Sequence, residues 1–176
     1  LWLDSRKGLG TLAASPTFAR LQGIADGPAG AVQTLRLMRQ MVLDAVRDPA
    51  QGCRSLALSI IGDAGFVGQC RAVQLWVQQN IRYIQDPPDV ELVQTPQKTV
   101  QWKAGDCDDQ SVLIAALLQS IGHPCQFMAM GFSGGPLSHV LTRTKIGSDW
   151  VTVETIRPVG LGYQPPNVTS TYLRDI

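Results

Sequence analysis

The spacing of apolar residues changes along the chain, from a helical period of 3.6 in the first two-thirds to a strand period of 2 in the last third. In "GAVQTLRLMRQMVLDAVRD", Val32, Leu35, Met38, Val42 and Ala45 recur at three- and four-residue intervals. That stripe predicts an amphipathic helix with its apolar face in a core, ended by Pro49. "RSLALSIIG" predicts a short second helix stopped by Gly62. "FVGQCRAVQLWVQQNIRYI" predicts a third, with Val73, Trp76, Val77, Asn80, Ile81 and Ile84 on one face, broken by "DPP" at 86–88. Residues 89–106 lack periodicity and read as a long connection, a feature that often carries function in compact domains. From Cys107 to Ile121 the chain is apolar nearly all round: Val112, Leu113, Ala116, Leu117 and Ser120 mark one face, and Ile114 and Leu118 extend it. A helix of that kind is central and buried. Gly122 and Pro124 end it.

Beyond Gly122, "CQFMAMGF" (125–132), "SHVLTRTKI" (138–146) and "DWVTVETI" (149–156) predict three strands. Gly147-Ser148 suits a two-residue type II′ turn. That turn pairs Ile146 with Asp149, so opposite residues place Leu141 across from Glu154 and His139 across from Ile156. His139 and Glu154 are then diagonal neighbours on one face, about 7–8 Å apart at the backbone. A slip of one residue would separate them. Residues 157–176, rich in Pro and Gly, read as a closing tail. Residues 1–28 read as an irregular N-terminal arm, and 29–176 as a single domain. Helices followed by an antiparallel meander define an α+β fold, with a helical N-terminal half and a central cysteine-bearing helix packed on a C-terminal antiparallel sheet.

Composition narrows the function classes. The chain has 176 residues, 44% of them hydrophobic and 16% charged, enough for a real core without crosslinks. Net charge is +1, so no electrostatic case exists for a nucleic-acid partner. No apolar run reaches the roughly 20 residues of a membrane span. "LWLDSRKGLGTLAASP" lacks the apolar region of a signal peptide, which predicts a protein that is cytoplasmic as synthesised. Cys53, Cys70, Cys107 and Cys125 are separated by 17, 37 and 18 positions. No CxxC pair or converging ligand set follows, so they read as free thiols, with no metal or other cofactor expected.

The candidate chemistry centres on Cys107. A helix N-terminus offers unpaired N–H groups and positive partial charge, which favour thiolate and can hold an oxyanion. Asp108 and Asp109 act in the opposite sense on a nearby anion. His139, held by Glu154, could serve such a nucleophile first as base and then as acid. Asp149 is the other carboxylate near the hairpin, but the register places it across from Ile146. His123, just after the helix stop, is expected to cap the helix or lie exposed. Gln101 and Trp102 precede the cysteine closely enough to line a substrate cleft.

"GDCDDQSVLIAALLQSIGHPCQF", "SHV" and "WVTVETI" resemble the transglutaminase-like domains of bacteria and phages, within the papain-like superfamily of thiol enzymes. "VQLWVQQNIRYIQDP" and "ELVQTPQKTVQWKAGDC" are similar to that family too. The resemblance covers about residues 65–160. It implies a papain-like core, no cofactor and a triad of Cys107 as nucleophile, His139 as base and acid, and Glu154 as orienter. The family usually has Asp at the third position, in a W-x-x-x-D-P pattern; here a side chain one methylene longer must reach the histidine. The implied activity is cleavage of a peptide or isopeptide bond in a peptide or protein substrate. Protein crosslinking is the second form. A third reading is a virion-associated component of a phage tail, with the N-terminal arm wrapping neighbouring subunits.

Overall fold

The computed structural model describes residues 18–21, 28–87 and 91–176. Strand β1 (Phe18–Leu21) lies within the span expected to be irregular; the rest of the expected arm, through residue 27, falls outside the described residues. Helix α1 (Pro28–Arg47) carries the predicted stripe, with Leu35, Met38, Val42 and Ala45 buried. A single 3₁₀ turn (Pro49–Gln51), capped by Asp48, leads into α2 (Cys53–Ile61). Helix α3 follows (Phe66–Asn80) and buries Cys70, Val73, Gln74 and Val77.

The third helix was expected to continue to Ile84, and it ends four residues earlier. Ile81 turns to extended backbone, and Arg82–Tyr83 forms strand β2. The Arg82 N–H donates to the Lys103 carbonyl and the Ile84 N–H to the Gly105 carbonyl. Pairing with a distant segment therefore replaces the last helical turn, and Ile84 lies exposed rather than on the buried face. The expected long connection also holds structure: β3 (Glu91–Gln94), α4 (Pro96–Trp102) and β4 (Ala104–Gly105). Thr95 caps α4 through the Lys98 N–H, with Pro96 at the first helical position, a start signal that a seven-residue helix needs more than a periodic face.

Helix α5 (Cys107–Ser120) lies at the centre, and every residue from Asp108 to Leu118 is buried. It packs against α1, α2, α3 and α4, and on its remaining side against β5 (Cys125–Phe132) and β6 (Leu137–Ile146). With β7 (Asp149–Val153) and β8 (Val168–Asp175), these form an antiparallel sheet in the order β7-β6-β5-β8. Strand β8 corrects the reading of 157–176 as a tail. Its side chains are mostly exposed, because it is an edge strand and buries too little to show an apolar alternation. The predicted hairpin register holds from Ile146↔Asp149 to Thr142↔Val153, where the ladder stops. Glu154 therefore lies just past β7, not within it. On β6, Met130↔His139 is followed by Gly131↔Leu137, so Ser138 is an extra, bulged residue beside the histidine.

The start of α5 is a reciprocal cap. The Asp106 side chain accepts from the Asp109 N–H, and the Asp109 side chain accepts from the Asp106 N–H at 3.3 Å. Gly105 lets these residues close up: a Cβ there would lie 2.6 Å from Asp109 Cβ and 2.8 Å from its Oδ2. Gly105→Ala is expected to force the cap apart and to cost about 1–3 kcal/mol, as overpacking generally does. Calorimetry should then show a melting temperature lower by about 2–4 °C for each kcal/mol lost.

Candidate active site

Cys107, the first residue of α5, is half-buried; the other three cysteines are buried, and all four are free thiols. The Val140 N–H on β6 faces the Cys107 thiol and favours its charged form. One helical turn on, the Ser111 hydroxyl donates to the Val140 carbonyl at 3.2 Å, and the Thr142 hydroxyl donates to the Ser111 carbonyl at 3.0 Å. These bonds set α5 in register against β6 and place the thiol beside the peptide that follows His139. Ser111 and Thr142 carried no signal in the apolar pattern; their use follows from contact between a polar helix position and a strand that runs past its partner's end.

The expected pairing of His139 with Glu154 is present: Nε2 lies 2.8 Å from Oε2, with Glu154 1% exposed. The other carboxylate oxygen accepts from the Ile156 N–H at 2.9 Å. Burial pushes the Glu154 carboxyl up, but the His139 hydrogen bond and charge, with the N–H groups of Ile156 and Thr155, outweigh it and hold the group below its usual range. Nε2 is thereby committed to the carboxylate, which leaves Nδ1 for any reacting partner. Asp149, at the far end of the hairpin, is bonded to Ser148 and does not join the pair. Behind Glu154 stand two residues that the sequence reading did not single out, Gln74 and Gln78 of α3; their amides donate to its backbone carbonyl at 2.9 Å and 3.0 Å.

The surroundings of Cys107 are acidic. Burial pushes its thiol well above the ordinary range, and the charges of Asp108 and Asp106 add to this; the Val140 N–H opposes them. Burial, which the local sequence does not display, comes first, and the flanking acids act in the same direction. Asp106, Asp108 and Asp109 are the group among the described residues whose ligand oxygens lie close enough to share a metal ion, within 4.8 Å of one another. Asp109 is already occupied: Oδ1 accepts from the Gln94 N–H at 2.7 Å, and Oδ2 from the Gln94 amide at 2.5 Å and the Asp106 N–H. Its carboxyl is pushed up to about 7, by burial first and then by Asp106. Asp108, 4% exposed with Oδ2 unpartnered, is also raised, by burial first and then by Asp106. The ion pair seen among the described residues is His139–Glu154, so no Lys or Arg offsets these acids there.

Tyr83 is a residue of this region that the sequence reading placed on a helix. It pairs with Gly105, two residues before the cysteine, and its hydroxyl is pushed up by burial and by the neighbouring charge of Cys107, Asp106 and Asp108. Gln101 and Trp102 are exposed at the end of α4 and grouped around Lys98, whose Nζ lies 3.2 Å from Gln101 Oε1 and 4.2 Å from the Trp102 ring centroid. His123 caps α5 through its backbone, its N–H donating to the Leu118 carbonyl at 3.1 Å, and its ring is not exposed. It is 1% exposed, with Nδ1 3.3 Å from Cys70 Sγ, Nε2 2.8 Å from Gln69 Oε1 and its ring centroid 4.0 Å from that of Phe66. Burial pushes the Cys70 thiol up to about 11 and the imidazole down, so this second Cys–His contact is a neutral core pair.

A central helix opening with a half-buried cysteine, packed on an antiparallel sheet that carries His, is the architecture of the papain-like thiol enzymes. Residues 56–155 match the Transglutaminase-like superfamily, and the chain belongs to it. Comparison with curated proteins finds no match. Among solved structures, the chain is similar to a proposed cysteine protease from Cytophaga hutchinsonii, at 22% identity and a TM-score of 0.53, over 69% of this chain and 42% of that one. It is also similar to a proposed protease from Parabacteroides distasonis, at 9% identity and a TM-score of 0.56, over 69% and 26% of the two chains. The chain thus spans less than half the length of either structure. No single helix among the described residues is long and apolar enough to cross a membrane.

Asp108 gives a direct test of the electrostatics. Removing its charge favours the thiolate, so Asp108→Asn is expected to move the pH profile of Cys107 alkylation by iodoacetamide to lower pH. The linkage has a definite sign. A carboxyl raised in the folded state stabilises fully below its unfolded value, about 3.9, and loses that contribution as pH rises through the folded value. The variant should therefore show a shallower loss of stability than wild type as pH rises above about 4, read by thermal melts across that range.

Proposed function

We propose that the chain is a thiol-dependent acyl-transfer enzyme that hydrolyses an amide bond, in a peptide or an isopeptide, through Cys107, His139 and Glu154. The observation that carries this reading is the 2.8 Å His139–Glu154 bond, on a strand whose next N–H meets the Cys107 thiol. Family membership supports a thiol enzyme, and the geometry supports these three residues.

Cys107 Sγ attacks the amide carbonyl carbon while His139, through Nδ1, takes the thiol proton. The thiol is held protonated at rest, so proton transfer accompanies attack rather than preceding it. The negative carbonyl oxygen of the tetrahedral intermediate would be met by N–H groups at the start of α5. His139 then protonates the leaving amine and a thioester remains. Water, deprotonated by His139, releases the acid and restores the thiol; an amine in place of water gives crosslinking. Glu154 stays ionised, fixes the imidazole and stabilises its charged form. The exposed Trp102 ring and Gln101 are the proposed substrate contacts.

The experiment is thiol labelling followed by a screen of peptide, isopeptide and peptidoglycan-stem amides, with and without an added primary amine. Hydrolysis in its absence is expected. Cys107→Ala and His139→Ala should each lower kcat/KM by at least about 10³-fold with the fold intact, as loss of a member of a nucleophile–base unit does. Turnover by Cys107→Ala, or a Cys107 that resists iodoacetamide even at alkaline pH in folded protein, would sink the proposal.

A further inference from the structure

Glu154 is held unusually for the residue that orients a histidine. The β6–β7 ladder ends at Thr142↔Val153, so the Glu154 backbone has no strand partner across the hairpin. Two glutamines of α3 stand in for one. Gln74 Nε2 lies 2.9 Å from the Glu154 carbonyl and 3.2 Å from that of Val159. Gln78 Nε2 lies 3.0 Å from the same Glu154 carbonyl, 2.7 Å from that of Arg157 and 3.0 Å from that of Val159. Their four-residue spacing puts both on one helix face. Three carbonyls of the segment 154–159 thus converge on two side-chain amides.

Gln74 is 1% exposed on a helix face that otherwise buries Cys70, Val73 and Val77. A leucine would fill such a position if volume were all that mattered. A buried amide is disfavoured by about 1–3 kcal/mol unless it is hydrogen-bonded, so the carbonyls it meets justify its place. The segment in turn shapes the carboxylate. The Ile156 N–H, inside the clamped stretch, donates to Glu154 Oε1, and Oε2 is thereby presented to His139 Nε2. A continuous chain of bonds runs from the α3 amides through the 154–159 backbone to the imidazole.

We infer that Gln74 and Gln78 are positioning residues of the active site, which set the 154–159 backbone so that the glutamate side chain meets His139. The inference rests on the catalytic reading above for its effect on rate, and on geometry alone for its effect on the His139–Glu154 bond. The test uses the full chain and the variants Gln78→Met, Gln74→Met, their combination, and Glu154→Asp, each checked for folding by circular dichroism. One readout is the exchange-protected His139 Nε2–H proton in NMR spectra; the other is turnover of the amide found in the screen.

Wild type is expected to show the protected proton. Gln78→Met should broaden it, and the double variant should lose it. kcat should fall about 10- to 100-fold, the scale for a misplacement of around 1 Å, with KM changed less than about twofold. Glu154→Asp should be costly in wild type but add little in the double variant, where the backbone is already released. Should the double variant fail to fold, Gln78→Met alone decides, because that side chain is only half-buried. A folded Gln78→Met variant with an unchanged proton signal and kcat overturns the inference, as does strict additivity with Glu154→Asp. Loss of the signal in a protein whose wild type cleaves no amide sinks the catalytic reading and leaves the positioning role standing.

Discussion

The Val140 peptide group meets α5 through both its polar atoms: its carbonyl accepts from the Ser111 hydroxyl at 3.2 Å, and its N–H faces the Cys107 thiol, one turn back along the same helix. A helix buried from Asp108 to Leu118 is attractive to apolar neighbours on all sides, and apolar burial alone does not fix its rotation or its slide along the sheet. Directional bonds do. Shifting α5 by one residue would leave the Ser111 hydroxyl without its acceptor in a buried site, a loss of about 1–3 kcal/mol. The position of the thiol relative to His139 follows from that registry, and β6 can offer Val140 because β7 ends two residues short of it.

That registry also decides the state of the thiol. A helix terminus contributes about 0.3–1 kcal/mol toward an anion, less than one pKa unit. Burial together with the charges of Asp108 and Asp106 acts the other way and pushes the thiol well above its ordinary range. Asp106 and Asp109 cannot be spared, since they are the reciprocal cap that starts the helix. The cap and the thiol therefore compete for the same few ångströms, and in the proposed reaction the imidazole removes the proton during attack. An imidazole with that task needs a fixed tautomer, which gives the buried, ionised Glu154 its importance.

What could be read from the sequence divides along physical lines. The stripe of α1 comes from repeated burial of one face, and the apolarity of α5 and of β5 from burial on all sides; both patterns are visible in a single chain. The 2.8 Å His139–Glu154 bond was legible because a two-residue turn dictates a register, and register dictates neighbours. Strands β2 and β4 have two residues each, and α4 has seven; elements this short have no period to display, and α4 announced itself only through Thr95 and Pro96. Edge strand β8 is exposed, so its alternation is lost. The burial of the His123 ring was missed because a polar residue after a helix stop is ordinarily solvated; here Cys70, Gln69 and Phe66 supply partners from a helix more than fifty residues away.

The unreadable segments are also the ones that surround the cysteine. Tyr83 arrives on β2, Gln94 at the end of β3 and Asp106 just after β4. Gln94 is buried beside the core residue Val93, while Tyr83 and Asp106 are placed by a few specific bonds nearby, such as Arg82 to Lys103 and Ile84 to Gly105, rather than by a share of the core. Positions of this sort contribute little to burial and are free to vary in chemistry without undoing the fold. The same division bears on how a glutamate can stand where the family resemblance implies aspartate. The framework of α5, β5 and β6 fixes where the imidazole must be, while the short segment after β7 is free to adjust its backbone to the longer side chain. Two amides on α3 then hold that adjustment in place.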